Sequence, residues 1–297
     1  MPRRSWPALA CSIALAATLA ACGGGTSSPS TSTKADGKQS GGKTTTAAAA
    51  AKRQASRAPA LKTGSYHGSV PILMYHVVST PTPDAPYPEL WTPRAAFAAQ
   101  MDGLARAGYQ AVTLQQAFTA WHGGAGLPPR PFVASFDDGY LSQLTNAAPV
   151  LFRHGWRAVL NLEVRNVRPG DLASGQVKQL IGLGWEIDAH TLTHPDLTTV
   201  DATRLADEVG GSRTTLKRMF GIPVSFFAYP AGRFDAAAQA AVRAAGYSAA
   251  VTTQPGIASA RDDPTILPRV RVDGNTSPAT LLSELGGGSL PTAGAGG

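Results

Sequence analysis

Phe132-Val133-Ala134-Ser135-Phe136-Asp137-Asp138-Gly139 joins an apolar run directly to two carboxylates and a glycine. A short apolar run closed by a turn signal predicts a buried strand over residues 132–136. Three other runs end in the same way. Residues 70–75 lead into His76, residues 185–189 into His190 with His194 four positions on, and residues 226–229 into Pro230-Ala231-Gly232. Further strands are predicted over 110–113, 158–162, 248–252 and 269–272. Amphipathic helices are predicted between them over 94–107, 114–121, 140–154, 176–183, 202–220, 235–245 and 277–285. Gly108 and Gly246 stand where a helix must stop before the next strand. Strand–helix alternation implies repeated βα units and a parallel sheet. About eight strands in about 220 residues favour a closed or distorted β/α barrel over an open sheet. No Gly-x-Gly-x-x-Gly fingerprint supports a dinucleotide fold.

The chain has 297 residues, a formal charge of +7 and 43% hydrophobic residues. That composition excludes a wholly disordered protein, and no apolar run suits a multi-span membrane protein. The positive balance is local. Residues 1–69 carry nine Lys/Arg against the single acid Asp36, whereas residues 70–297 carry 17 against 18. The folded part is therefore near neutral and gives no reason to expect a nucleic-acid partner.

Arg3-Arg4, an apolar stretch from Trp6 to Ala21 and then Cys22 have the layout of a secretory signal. Leu19-Ala20-Ala21-Cys22 resembles a bacterial lipobox, with Cys22 the expected lipidation site and first mature residue. Residues 1–21 are read as the signal peptide and 22–67 as a flexible Ser/Thr/Ala/Gly/Lys-rich linker. Residues 68–285 are read as one catalytic domain and 286–297 as a disordered Gly-rich tail. Loss of Cys11 with the leader leaves Cys22 alone and excludes an internal disulfide. The expected location is the bacterial cell envelope, outside the cytoplasm, lipid-anchored to a membrane. The linker lysines suit contact with anionic lipid or plain solubility equally well.

In a β/α barrel the C-terminal strand ends meet on one face, where sites are built. Taken singly, each signal is ambiguous. Asp-Gly is also a turn, Asp138 can cap a helix, and His190-x-x-x-His194 followed by Pro195 can be two unrelated loop residues. Taken together, two imidazoles and a carboxylate suit a divalent metal, and the other carboxylate suits a base.

These motifs are, in order, Ile72-Leu73-Met74-Tyr75-His76, Ser135-Phe136-Asp137-Asp138-Gly139, His190-Thr191-Leu192-Thr193-His194 and Ala228-Tyr229-Pro230-Ala231-Gly232. Over about residues 70–275 the set resembles the polysaccharide deacetylases of the NodB-homology type, carbohydrate esterase family four. It is most similar to the branch of biofilm poly-N-acetylglucosamine deacetylases. The resemblance implies a distorted (β/α) barrel and removal of N-acetyl groups from a polysaccharide. It also implies Asp137 as general base, His76 as general acid and the Ala231 backbone N–H as oxyanion donor. Asp138, His190 and His194 become metal ligands, Zn2+ being the default with Co2+, Ni2+ or Fe2+ as other options.

Two departures from that pattern stand out. Ala231 replaces the aromatic that many relatives place after the proline. The Arg that other branches carry before this turn is missing, which leaves Arg269 open between orienting Asp137 and a surface or structural role. Asp188 is open between supporting a ligand His and a strand-edge carboxylate. Tyr229 and Trp91, the latter in a Pro-rich stretch, are candidate sugar contacts.

The reading is a metal-dependent deacetylase of poly-N-acetylglucosamine, peptidoglycan or a similar polymer, with a monomer as the expected state. Its rivals are an inactive glycan-binding protein on the same fold and an O-acetyl esterase of the same family. A non-haem iron oxygenase fits poorly, because the Asp precedes two neighbouring His instead of lying between separated ones.

Overall fold

The computed structural model describes residues 66–286. The leader, Cys22, nearly all of the linker and the C-terminal tail lie outside the described residues. All eight expected strands form: β1 (Ile72–Tyr75), β2 (Gln110–Ala111), β3 (Pro131–Asp138), β4 (Val159–Leu162), β5 (Glu186–Ala189), β6 (Phe226–Ala228), β7 (Ala249–Pro255) and β8 (Leu267–Arg271). Every pairing between them is parallel. The order β1-β8-β7-β6-β5-β4-β3 closes on itself through β1–β3, a ring of seven strands.

The eighth strand stays outside the ring. β1 occupies β3 from Ile72↔Val133 to Tyr75↔Phe136, so β2 finds room only at Pro131 and Phe132. This is the distorted (β/α) barrel that strand–helix alternation predicts, with β2 as an external appendix.

Helices surround the ring: α1 (Arg94–Arg106), α2 (Leu114–Trp121), α3 (Ala148–Arg153), α4 (Ser174–Gly182), α5 (Ala202–Ala206), α6 (Ser212–Phe220), α7 (Ala236–Ala244) and α8 (Pro278–Glu284). Strand alternation divides the core in two. Leu73, Tyr75, Phe132, Phe136, Leu160, Ile187 and Phe227 belong to the cluster that packs against the helices. Ile72, Val133, Val159, Phe226, Val251 and Leu267 form the inner cluster, which Leu114, Ala117 and Trp121 of α2 join. Thr113 starts α2 with a capping box, its hydroxyl accepting from Gln116 N–H while the Gln116 side chain accepts from Thr113 N–H.

Two helical segments contain π-turns, at Gln143–Ala147 before α3 and at Asp207–Gly211 between α5 and α6. The sequence periodicity predicts single uninterrupted helices there. A π-turn inserts one residue without changing the apolar period enough to be read, and such turns gather at functional sites.

The ring is thinnest between β5 and β6, which share only the pair Ala189↔Phe227. Asp188 mends this seam, its fully buried Oδ1 accepting from Phe226 N–H at 3.0 Å. Burial and the facing Glu186 carboxylate push the Asp188 carboxyl well above its ordinary range. Glu186 in turn accepts from Gln115 N–H in the first turn of α2. Asp188 is thus neither a partner of a ligand His nor a strand-edge group.

A carboxyl with a raised folded pKa loses stability as pH climbs from the ordinary carboxylate range through that raised value. Asp188→Asn, which mimics the protonated acid, is expected to raise Tm at pH 7. The shift should be about 2–4 °C per kcal/mol regained, and the gain should shrink towards pH 4. Thermal melts across that range check both the sign and the trend.

Candidate active site

β3 outlasts its neighbours and carries Asp137 and Asp138 to the C-terminal rim of the ring. Alternation along a strand sends adjacent side chains to opposite faces. Asp138 escapes this rule through φ = 73°, a left-handed backbone that turns it over the rim. Asp137 keeps the inward direction and is buried. Both carboxylates consequently line one cleft of about 680 Å3, together with His76, Tyr140, Glu163, His190, His194, Tyr229 and Ala231. Asp138, Thr191, His194 and Ala231 all carry positive φ at this rim. Strain of that kind persists only where surrounding contacts over-determine it.

Asp137 is held by three hydrogen bonds from two side chains. Arg269 Nη1 and Nη2 donate to Oδ1 and Oδ2 at 2.8 and 2.7 Å, and Asn161 Nδ2 donates to Oδ1 at 2.7 Å. Arg269 is itself buried and anchored by Nε to Thr252 O at 2.8 Å. Burial pushes the Asp137 carboxyl up, but the charge and hydrogen bonds of Arg269, with His76 adding to them, hold it far below the usual carboxylate range. His76 Nε2 faces Asp137 Oδ2 at 3.7 Å. Burial lowers the imidazole pKa from its ordinary value, and the carboxylates of Asp137 and Asp138 offset this only in part. Gln143, on the first π-turn, ties the two segments together by donating to His76 O at 3.0 Å and Asp137 O at 2.7 Å.

Asp138, His190 and His194 each offer one ligand atom, and these atoms lie within 4.8 Å of one another. His190 Nδ1 sits 2.8 Å from Ala228 O, which can only accept, so Nδ1 carries the proton and Nε2 is left as a lone-pair donor. That Nε2 lies 3.4 Å from Asp138 Oδ1, and His194 Nε2 lies 3.6 Å from the same oxygen. Two imidazoles and a carboxylate converging in this way fit a divalent cation such as Zn2+.

Pro230-Ala231-Gly232 follows β6 as a single tight turn with φ = 51° at Ala231. The Ala231 N–H has no hydrogen-bond partner among the described residues, and the residue is exposed on the cleft. Gly232 is required here, since a Cβ would sit 2.0 Å from Thr253 Oγ1.

Tyr229 departs from its expectation as a sugar contact. It is fully buried among Phe227 and Phe234 and forms the wall behind the cleft. Trp91 departs too. Its backbone bridges Val77, and its side chain lines a separate depression with Pro81, Pro88, Pro93 and Asp273. An aromatic that the sequence reading did not name, Tyr87, lines the cleft and is 69% exposed with φ = 52°. The sequence reading also missed Asn161, Gln143, Glu163 and Glu208. Asn161 alone left a legible signal, a polar residue at an inward position near a strand end.

Residues 125–250 match the polysaccharide deacetylase family. The chain is 30% identical over 204 residues to YxkH of Bacillus subtilis (strain 168), assigned by name to the polysaccharide deacetylases; the match covers 68% of this chain and 71% of YxkH. A 93-residue stretch is 33% identical to the poly-beta-1,6-N-acetyl-D-glucosamine N-deacetylase of Escherichia coli (strain K12), covering 31% of this chain and 14% of that protein. Among solved structures, the Streptococcus pyogenes deacetylase PplD in complex with acetate superposes with a TM-score of 0.69 at 25% identity, over 74% of this chain and 99% of that one. Barrel, motif order and relatives agree: the chain belongs to the polysaccharide deacetylase family.

Proposed function

We propose that this protein is a metal-dependent deacetylase that removes N-acetyl groups from a neutral polysaccharide of the poly-N-acetylglucosamine or peptidoglycan type. The observation that carries the reading is the Asp137–His76 pair beside the Asp138–His190–His194 cluster in one cleft. The local similarity to a poly-N-acetylglucosamine deacetylase supports the N-acetyl choice. A neutral substrate is supported by the charge pattern of the cleft and its rim. Arg165, Arg168 and Arg233 are matched by Glu163, Asp171 and Asp196 at 2.6–2.8 Å, which leaves little net field for a polyanion.

The chemistry divides among named groups. Asp138, His190 and His194 would hold a divalent ion, which would supply Lewis-acid polarisation and make water more acidic. Asp137 Oδ2 faces the cleft and accepts a proton from the attacking water, whose oxygen bonds to the amide carbon. Because Arg269 makes Asp137 a poor place to store a proton, the proton moves on to His76 Nε2, 3.7 Å away. His76 then delivers it to the sugar nitrogen as the C–N bond breaks, releasing acetate and a free amine. The Ala231 N–H is positioned as donor to the oxyanion. Tyr87 offers an exposed ring on which a sugar can stack. In this reading Cys22 carries the lipid anchor, and the linker lets the domain reach the glycan outside the cytoplasm.

Acetate release from poly-N-acetylglucosamine, peptidoglycan and an O-acetylated xylan, with and without a chelator, tests the reading. Release from an N-acetylated polymer, lost with chelator and restored by Zn2+, is expected. Release only from the O-acetylated polymer, or release untouched by chelation, would overturn it.

A further inference from the structure

The loop carrying both histidines is built from unfavourable backbone. Thr191 has φ = 69° and His194 φ = 56°, conformations that non-glycine residues avoid and that a β-branched threonine avoids most. Specific partners of its backbone polar groups hold it in place. The carbonyls of Thr191 and Leu192 accept from Val164 N–H at 3.2 Å and Arg165 N–H at 3.0 Å, and Thr191 Oγ1 accepts from His194 N–H at 2.9 Å. The amides of Leu192 and Thr193 have no such local partner. Both donate to one atom, Glu208 Oε2, each at 2.9 Å, while the Thr193 hydroxyl donates to Glu208 Oε1 at 2.5 Å.

Glu208 reaches the loop from a distance in sequence. It lies on the second π-turn, Asp207–Gly211, and is only 4% exposed. The same turn places Gly211 against the loop, where a Cβ would meet Leu192 Cδ1 at 3.3 Å. The helix thus approaches the loop closely at Gly211 and presents its one buried carboxylate there. Glu208 touches neither imidazole and points at no part of the cleft. Its only backbone partners are the two amides between His190 and His194.

We infer that Glu208 is a positioning residue that sets metal affinity by pinning the 191–194 loop, so that His194 stays in register with His190 and Asp138. The inference rests on the metal site of the proposed function. Without the carboxylate, two half-buried amides lose their acceptor and the left-handed residues relax, which moves His194 away from the other ligands. Outer partners of this kind commonly change metal affinity by roughly 10- to 100-fold.

The test is Zn2+ titration of the purified full chain against a competing chromophoric chelator, with circular dichroism as a check of folding. Glu208→Ala is expected to weaken Zn2+ binding by about 10- to 100-fold. Glu208→Asp keeps the charge but is one methylene short, and is expected to weaken binding as well should the alanine variant fail to fold. Glu208→Gln, which can keep one oxygen on both amides and turn its NH2 to the Thr193 hydroxyl, is expected to stay close to wild type. Leu281→Ala on α8 is a destabilised control expected to keep wild-type affinity.

Wild-type binding in folded Glu208→Ala and Glu208→Asp would overturn the inference alone, as would equal loss in Leu281→Ala. A wild-type chain that binds no Zn2+ would overturn both the inference and the metal reading beneath it.

Discussion

Arg269→Met is expected to cost about 3–5 kcal/mol of stability, the usual penalty for leaving one member of a buried ion pair uncompensated. At roughly 2–4 °C per kcal/mol, Tm should fall by about 6–20 °C. The physical cause is specific. Arg269 is 1% exposed and gives Asp137 a two-pronged contact, so its removal strands a buried carboxylate whose only strong remaining donor is Asn161. Burial, the largest influence on it, then outweighs what remains and drives the Asp137 carboxyl up.

The sign with pH follows from the depressed carboxyl of the wild type. Its contribution is present above the ordinary carboxylate pKa and is lost as pH falls through the depressed folded value. The stability gap between wild type and variant should therefore be widest near neutrality and narrow in acid. Melting curves from pH 7 down to pH 3 would show this, and a gap independent of pH would refute the account. Arg269→Lys should not rescue, because an ammonium cannot span both oxygens while also reaching Thr252 O.

Asp137→Asn is expected to lower kcat by roughly 100- to 10,000-fold, the range for loss of a general base, with Zn2+ affinity retained. The amide cannot accept the proton at Oδ2, and its NH2 would face an Arg269 donor. Metal binding should survive because the proposed ligand atoms belong to Asp138, His190 and His194. His76→Ala should likewise keep the metal and lose amide hydrolysis, since it removes the proposed proton donor to the departing nitrogen. Kinetics alongside Zn2+ titration separate these cases. Joint loss of metal and activity in Asp137→Asn would remove Asp137 as base and make it part of the ligand set.

The alternation of strands and helices, the seven helical segments and the chemistry at four strand ends were all legible in the chain. Each depends on local periodicity or on residue type, which the sequence displays directly. That Asp137, Asp138, His76, His190, His194 and Ala231 would meet in one cleft could be read out because a parallel barrel gathers C-terminal strand ends whatever the details of packing. The place of Trp91 outside the cleft was not legible, for the opposite reason. Which of two aromatics in a Pro-rich stretch turns outward depends on the left-handed backbone at Tyr87 and the bridge between Val77 and Trp91, both made by distant contacts.

Tertiary structure alone decided the rest. It closed the ring with seven strands because β1 claims the edge of β3 that β2 would need. It brought Arg269 to Asp137 across 132 positions, and turned Asp138 over the rim against the alternation of its strand. It also placed Glu208 beneath the histidine loop by inserting a π-turn that periodicity does not register. The sequence by itself determined which chemical groups stand at the strand ends. Their pairing, their protonation and the strain that aims them come from long-range packing, where one carboxylate meets one guanidinium only after the barrel has closed.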